Sequence, residues 1–323
     1  MTVDPESLCV HVLNVGDGDS IVIQFPEKGG SRKYALVDCY LANKTINYLK
    51  KFEDKYGEKV DEMEFVCATH PHSDHILGIP KILDTFQGNI QEFWDSGFRH
   101  NSGTYADIIE KIELDRNIRF FRVTSGMERT INNVKVSVLA PSIYLRNRYD
   151  TYGVNINNAS VVLKLEYMAE GAAYPSVIIL GGDAQFDSWS KILEEYPHYR
   201  KTDNPESHIQ IEKSFNPLNC SILKVAHHGS KHGTSLESVE RLDPEYAIVS
   251  CSGTSRYLFP HEIAKLSLEE VSKMGEKGRI YFTDHSKPEK AKSGTTVVIT
   301  NGNNRYSIRE LGENIDQVPN PPM

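Results

Sequence analysis

One short stretch constrains this chain more than any other. Thr69-His70-Pro71-His72-Ser73-Asp74-His75 puts three imidazoles and a carboxylate within six residues, directly after the apolar run Met63–Ala68. The run reads as a strand, and the apolar spacing of Ile76, Ile79, Ile82 and Leu83 reads as a helix beginning inside the motif. Imidazole nitrogen with carboxylate oxygen is the donor set that borderline divalent cations favour. On a tight turn at a strand end, His70 and His72 can face one ion while Asp74 and His75 face another. The plainer alternative is a polar loop with three solvated histidines, and the density of ligands argues against it.

Two further strand ends fit the same chemistry. Leu180-Gly181-Gly182-Asp183 is an apolar strand ending in glycines and a carboxylate. Glycine lets the backbone approach closely, so Asp183 can bridge two cations; its alternative is a helix N-cap. Val225-Ala226-His227-His228-Gly229-Ser230 delivers imidazole from another strand end. Adjacent side chains on a strand point to opposite faces, so one ligand is expected from the pair. His227 is the favoured ligand, leaving His228 to support the ligands from behind, contact a phosphate or act as a general acid.

Around these motifs the chain alternates strand and helix. Strands are expected at Cys9–Leu13, Ile21–Phe25, Tyr34–Asp38, Val161–Leu163, Ile178–Leu180, Ile222–Ala226, Ala247–Ser250 and Thr296–Thr300. Helices are expected at Thr45–Phe52, Phe186–Tyr196 and Ile263–Met274. Leu145–Asn158 and Pro197–Pro217 read as polar surface insertions. No linker divides the chain, which reads as one α/β domain over 1–310 followed by a loosely held tail at 311–323.

Composition narrows the setting. Among 323 residues, 39% are hydrophobic and no apolar run approaches the length of a membrane span, so no membrane partner is expected. Cys9, Cys39, Cys67, Cys220 and Cys251 lie in or beside apolar runs with no Cys-x-x-Cys pair. With no secretory signal at the start, this points to reduced thiols in a cytoplasmic protein. A net charge of −8 would repel a polyanion as a whole, so a nucleic acid or nucleotide substrate needs a local basic rim or the metals themselves. His285, Lys287, Lys290 and Lys292 form one such basic stretch, with a solvated loop as the plainer reading.

Taken together, these segments resemble the metallo-β-lactamase superfamily, and more narrowly its ComEC-like branch, named for the hydrolase-like domain of DNA-uptake proteins. Leu13-Asn14-Val15-Gly16-Asp17-Gly18-Asp19-Ser20 resembles the branch's opening signature. Leu36-Val37-Asp38-Cys39, the His70–His75 motif, Gly182-Asp183, His227-His228-Gly229-Ser230 and Thr283-Asp284 with Gly294 follow in the expected order. The resemblance implies a four-layer αββα sandwich with two divalent ions, Zn²⁺ or Mn²⁺, at one edge. It implies His70, His72, Asp74, His75, Asp183 and His227 as ligands. Asp19 and Asp38 read as carboxylates that orient them, with Asp17 and Asp19 as turn residues and Asp38 as a strand-end group for the plainer alternative. Two departures stand out. Asn155, Asn157 and Asn158 stand where the superfamily supplies a further histidine, so water or an amide oxygen would complete the first site. Tyr257-Leu258-Phe259-Pro260-His261 matches only in part the Tyr-Gly-His-Pro-like turn that the branch often shows.

Such a dinuclear centre suits phosphodiester hydrolysis, as a nuclease or phosphodiesterase. Asp74 would take up a proton from water, and His228, Lys231 or His232 would steady or protonate the leaving group. The same centre would serve a small-molecule hydrolase acting on a cyclic nucleotide, lactone, thioester or β-lactam. A catalytically idle binding module is the third possibility, disfavoured by the nearly complete ligand set. Trp94, Phe98 and Tyr105 offer base-stacking rings, although core packing is the simpler role for them.

Overall fold

A computed structural model describes residues 4–56, 60, 62–152, 155–198, 216–254, 256–271, 280–284 and 294–311. The chain begins with β1 (Leu8–Val12), β2 (Ser20–Gln24) and β3 (Tyr34–Cys39), then α1 (Ala42–Tyr56) and β4 (Met63–Ala68). Helices α2 (Ser73–Ile76) and α3 (Ile79–Thr85) lead to β5 (Ile90–Asp95), and α4 (Gly103–Leu114) leads to β6 (Arg119–Arg122). A hairpin of β7 (Glu128–Ile131) and β8 (Val134–Ala140) precedes α5 (Ile143–Tyr152), β9 (Val162–Tyr167) and β10 (Ser176–Leu180). Then come α6 (Phe186–Glu195), β11 (Ile222–Lys224), α7 (Leu236–Leu242), β12 (Tyr246–Val249) and α8 (Glu262–Glu270). Strands β13 (Ile280–Phe282), β14 (Thr295–Thr300) and β15 (Ser307–Leu311) close the fold.

The strands form two mixed sheets, ordered β15-β14-β1-β2-β3-β4-β5-β6 and β13-β12-β11-β10-β9-β8-β7. In the first, β15 to β3 pair antiparallel and β3 to β6 parallel; in the second, β13 to β10 pair parallel and β10 to β7 antiparallel. Parallel neighbours need a crossover, and α1, α3, α4, α6, α7 and α8 supply it.

Period-two alternation sends successive side chains to opposite faces, and here both faces are covered. Val10, Ile23, Val37 and Phe65 meet Val136, Leu163, Ile178 and Ile248 in a core between the sheets. Leu36, Val66 and Phe93 pack outward against Ile46, Leu49, Ile82 and Ile108. Ile179, Leu223 and Val249 pack outward against Trp189, Ile192, Val239 and Leu268. The result is helix, sheet, sheet, helix, the expected αββα sandwich. The motif-bearing loops after β4, β10 and β11 all leave the carboxyl ends of parallel strands, where α/β sheets commonly receive ligands.

Several elements differ from the sequence-based expectation. The helix expected from Ile76 is two short helices, broken at Gly78, where a Cβ would collide with Cys39 and Ala42. Residues 145–158 are not a surface insertion: α5 covers much of them, and Asn157 and Asn158 are buried in a following 3₁₀ turn. The strand expected over Ile222–Ala226 ends at Lys224, because Ala226 already turns. Trp94 and Phe98 are core residues, with Trp94 stacked on Phe65 at 4.1 Å, so neither offers a face to a base. All five cysteines are free and buried. No described helix is long and apolar enough to cross a membrane. Leu311 ends β15 and is buried, while residues 312–323, most of 197–217, and His285, Lys287, Lys290 and Lys292 lie outside the described residues.

His11 on β1 is buried with its Nδ1 2.8 Å from the Tyr48 hydroxyl, and burial lowers its pKa to about 4. An unfolded histidine titrates near 6.5, so stability is fully present above that value and is lost as pH falls from there towards 4. Denaturant melts between pH 7 and 4.5 should show a loss from this group of roughly 2 kcal/mol. His11→Gln should flatten the profile by that amount, and an unchanged profile would refute the assignment.

Candidate metal centre

Three loops from two sheets converge on one carboxylate. Asp183 is buried just after β10, and its two oxygens address different groups of imidazoles. Oδ1 lies 3.2 Å from His75 Nε2 and 3.6 Å from His228 Nε2. Oδ2 lies 3.8 Å from His70 Nε2 and 3.7 Å from His227 Nε2, and His70 Nε2 is 3.0 Å from His72 Nδ1. Asp74 Oδ2 completes the first group, 3.7 Å from His228 Nε2 and 3.8 Å from His75 Nε2. Gly182, with φ of +50° and the Val161 carbonyl oxygen where a Cβ would sit, lets the chain bring Asp183 this close.

Neighbouring groups settle which nitrogen of each ring faces inward. Asp38 accepts from Thr69 N–H at 2.8 Å and from the Thr69 hydroxyl at 2.7 Å, which fixes its carboxylate. His75 Nδ1 then donates to Asp38 Oδ2 at 2.7 Å, and His228 Nδ1 donates to the Ser250 carbonyl at 3.0 Å. Each Nε2 is left facing the Asp183–Asp74 side, the orientation a metal-ligating histidine needs.

The residues fit a cation. His75 Nε2, His228 Nε2 and Asp183 Oδ1 are buried without a well-formed hydrogen bond. The ligating atoms of Asp74, His75, Asp183 and His228 lie within 4.8 Å of one another. Unpaired buried polar atoms cost about 1–3 kcal/mol each, a cost that a shared divalent ion would remove. Burial alone would hold His75 neutral, yet Asp183 and Asp38 carry its pKa well above the usual histidine value, and a bound cation would take the place of that proton. Burial would raise Asp183, but His75 and His228 hold it well below the carboxylate range. His70, His72 and His227 are pushed down, chiefly by burial, and so are neutral donors.

The pair at 227 and 228 departs from the expectation of a single inward histidine. They do not sit on a strand. Both have left-handed backbone, with φ/ψ of 50°/47° and 54°/23°, and this turn delivers both rings to Asp183. His228 groups with Asp74 and His75, while His227 faces the His70 side. Left-handed conformation costs a non-glycine residue about 1–2 kcal/mol, and a functional turn is where such strain is commonly kept. On the His70 side stands Asn157, its Nδ2 3.3 Å from His227 Nε2 and its Oδ1 buried without a partner. That amide lies in the segment where the resemblance expects a further histidine. Since amide oxygen and nitrogen are interchangeable by rotation, it can present an oxygen there.

Other expected residues fall outside the cluster. Lys231 and His232 are exposed. The backbone N–H of Lys231 donates to His261 Nδ1 at 3.0 Å, so His261 braces the turn. Asp17 is more than a turn residue: it accepts from Ser252 N–H at 2.8 Å and lines the groove. Asp19 forms a fully buried ion pair with Lys224 and lies 3.9 Å from His228 Nδ1. Lys224 went unnoticed in the sequence, although a lysine inside Ile222-Leu223-Lys224-Val225 was a signal that a buried carboxylate awaited it. Above the cluster opens a groove of about 1010 Å³, bounded by His72, His100, Asp74, Arg256, Tyr257 and Phe259 among others.

Two substitutions probe this construction. Asp38→Asn should weaken Zn²⁺ or Mn²⁺ binding about 10–100-fold by calorimetry, because His75 loses the acceptor that orients it. An unchanged affinity would remove Asp38 from the centre. Lys224→Met should cost about 3–5 kcal/mol in denaturant unfolding, because Asp19 is left charged and unpaired. Adding Asp19→Asn should recover part of the loss; equal stability of wild type and Lys224→Met would refute the pairing.

No family model matches the chain. It is 24% identical over 269 residues to ComE operon protein 3 of Bacillus subtilis (strain 168), covering 78% of this chain. The matched region spans 29% of that protein's own length. Among solved structures, a metallo-β-lactamase fold protein, YhfI, from Bacillus subtilis aligns with a TM-score of 0.48 at 13% identity. That alignment covers 91% of this chain and 99% of the other. A diphosphatase from the PhnP family aligns with a TM-score of 0.43 at 12% identity, covering 85% of this chain and 94% of that one. With helices outside two mixed sheets and a buried carboxylate between two imidazole groups at the strand ends, the chain is an αββα sandwich similar to ComE operon protein 3 and, at lower identity, to proteins of the metallo-β-lactamase fold.

Proposed function

We propose that this chain is a dinuclear-metal hydrolase of phosphodiesters. The observation that carries the reading is Asp183, whose two oxygens serve two separate imidazole groups at the floor of an open groove. On this reading His70, His72, His227 and Asn157 would hold one cation, Asp74, His75 and His228 the other, and Asp183 would serve both. Two divalent cations bound there, Zn²⁺ or Mn²⁺ by donor chemistry, supply a water of lowered pKa and neutralise charge developing on a phosphoryl group.

The chain's own side chains do the rest. Asp38 and the Ser250 carbonyl keep the His75 and His228 lone pairs inward throughout the reaction. Asp74, 34% exposed at its side chain, is the member of its group open to the groove, and it takes up the proton of the attacking water. Phe259 lies 5.6 Å from the His227 ring and 5.8 Å from His228 and shields that flank from solvent. The groove, at about 1010 Å³, is at the top of the range for small-molecule sites, which favours an extended ester such as a nucleotide chain. The resemblance to the branch named for DNA-uptake proteins points the same way.

Elemental analysis should find up to about two divalent ions per chain, and chelation should abolish hydrolysis of bis(p-nitrophenyl) phosphate until Zn²⁺ or Mn²⁺ is restored. Asp74→Asn should lower kcat about 10²–10⁴-fold with the melting curve little changed. A chelator-indifferent activity, or turnover only of a β-lactam, lactone or thioester in a parallel panel, would overturn the phosphodiester reading.

A further inference from the structure

The mouth of the groove carries a side chain that the hydrolytic centre does not use. Among the described residues, Arg256 is the one lysine or arginine that lines the groove, alongside Asp17, Asp74 and Asp183. It is not a loose surface charge. Its guanidinium sits 4.8 Å above the Tyr257 ring centroid, and its Nη2 donates to the Tyr257 hydroxyl at 2.6 Å. Tyr257 stacks on Phe259 at 5.5 Å with 29° between planes, and Phe259 in turn abuts the His227 and His228 rings. A continuous run of ring contacts thus leads from the metal ligands to one arginine.

The backbone beneath this run is fastened to the ligand turn and held in an unfavourable conformation. His261 N–H donates to the Gly229 carbonyl at 2.9 Å, and the Lys231 N–H donates to His261 Nδ1 at 3.0 Å. A Cβ on Gly229 would collide with Pro260, so the two segments touch along their backbones. Leu258, between the two stacked rings, has φ of +59° and is 77% exposed. A leucine gains nothing from that conformation or that exposure. What the turn achieves is to put Tyr257 and Phe259 on one side of the loop, with Arg256 at the end of the stack.

Resting on the phosphodiester reading above, we infer that Arg256 is a specificity-determining residue that binds a second phosphate, next to the one being cleaved. A planar guanidinium already oriented by a ring loses less freedom on binding than a free one, and its fork matches phosphate oxygens in pairs. In a groove otherwise rich in carboxylates, this fork separates substrates that carry a flanking phosphate from esters that do not. The flanking group is either an internal phosphate of a longer strand or a terminal phosphate of a short nucleotide.

The test compares Arg256→Gln and Arg256→Lys with wild type and with Arg116→Gln, an exposed charge outside the groove. Substrates are the thymidine dinucleotide, its 5′- and 3′-phosphorylated forms, and a thymidine octanucleotide, assayed for kcat and KM with Mn²⁺. Binding of the same compounds is measured with Ca²⁺. For Arg256→Gln the KM preference for a phosphorylated over an unphosphorylated dinucleotide should fall about tenfold, with kcat falling much less. The salt dependence of octanucleotide binding should lose about 0.7 in log–log slope. Arg256→Lys should keep most of that slope while losing part of the KM preference, and Arg116→Gln should change neither. A loss seen only with the octanucleotide assigns Arg256 to an internal phosphate, and a loss with either phosphorylated dinucleotide assigns it to a terminal one. An equal loss on phosphorylated and unphosphorylated compounds, or none, overturns the inference. Absent turnover with Arg256-dependent binding intact would instead count against the hydrolytic reading alone.

Discussion

A carboxylate stripped of water and set among imidazoles is the constraint around which this molecule is organised. Asp183 is buried, and moving such a charge out of water is tolerable only where compensating charge surrounds it. That requirement explains features that otherwise look unrelated: glycine before the aspartate, two left-handed histidines in succession, and a second buried carboxylate, Asp38, spent on orienting one ring. Each is costly or unusual alone. Together they place donors of two kinds on either side of one acidic group.

The sandwich makes this arrangement possible because each sheet contributes its parallel half to the same edge. The first sheet sends His70, His72, Asp74 and His75 from the end of β4, and the second sends Asp183 and the histidine pair from β10 and β11. The sheets are tied beside the centre by the Asp19–Lys224 ion pair and by the Val161 N–H donating to the Thr69 carbonyl at 2.9 Å. Gly18 belongs to the same tie, because a Cβ there would strike Tyr40 and the Asp74 backbone. The opening signature therefore shapes the motif-bearing loop from below.

The sequence made the inner strands and the ligand set legible, for a physical reason: strands covered on both faces are continuous apolar runs, and ligands sit where those runs stop. The outer parts were harder to read. Strands β6 and β7 lie at sheet edges and carry Arg119, Arg122, Glu128 and Arg129, so their pattern is that of polar loops. Asn157 and Asn158 look like surface residues, and only the packing of α5 and α6 around them shows that they are interior. The choice between His227 and His228 could not come from strand geometry, since positive φ at two adjacent non-glycine residues has no sequence marker. Lys224 was visible, but its meaning depended on a partner 205 positions away.

The division of the ligands between two sheets has a consequence for the whole molecule. Ions seated between the β4 loop and the β10–β11 loops would act as rivets across the sandwich, bound by the folded state and by nothing comparable in the unfolded chain. Resistance to heat and proteolysis would then track the free concentration of the metal, rising by about 2.7 kcal/mol for each ion held at a hundred times its dissociation constant. With ions seated so, the metal supply of the surroundings would be written into the protein's own lifetime, before any substrate arrives.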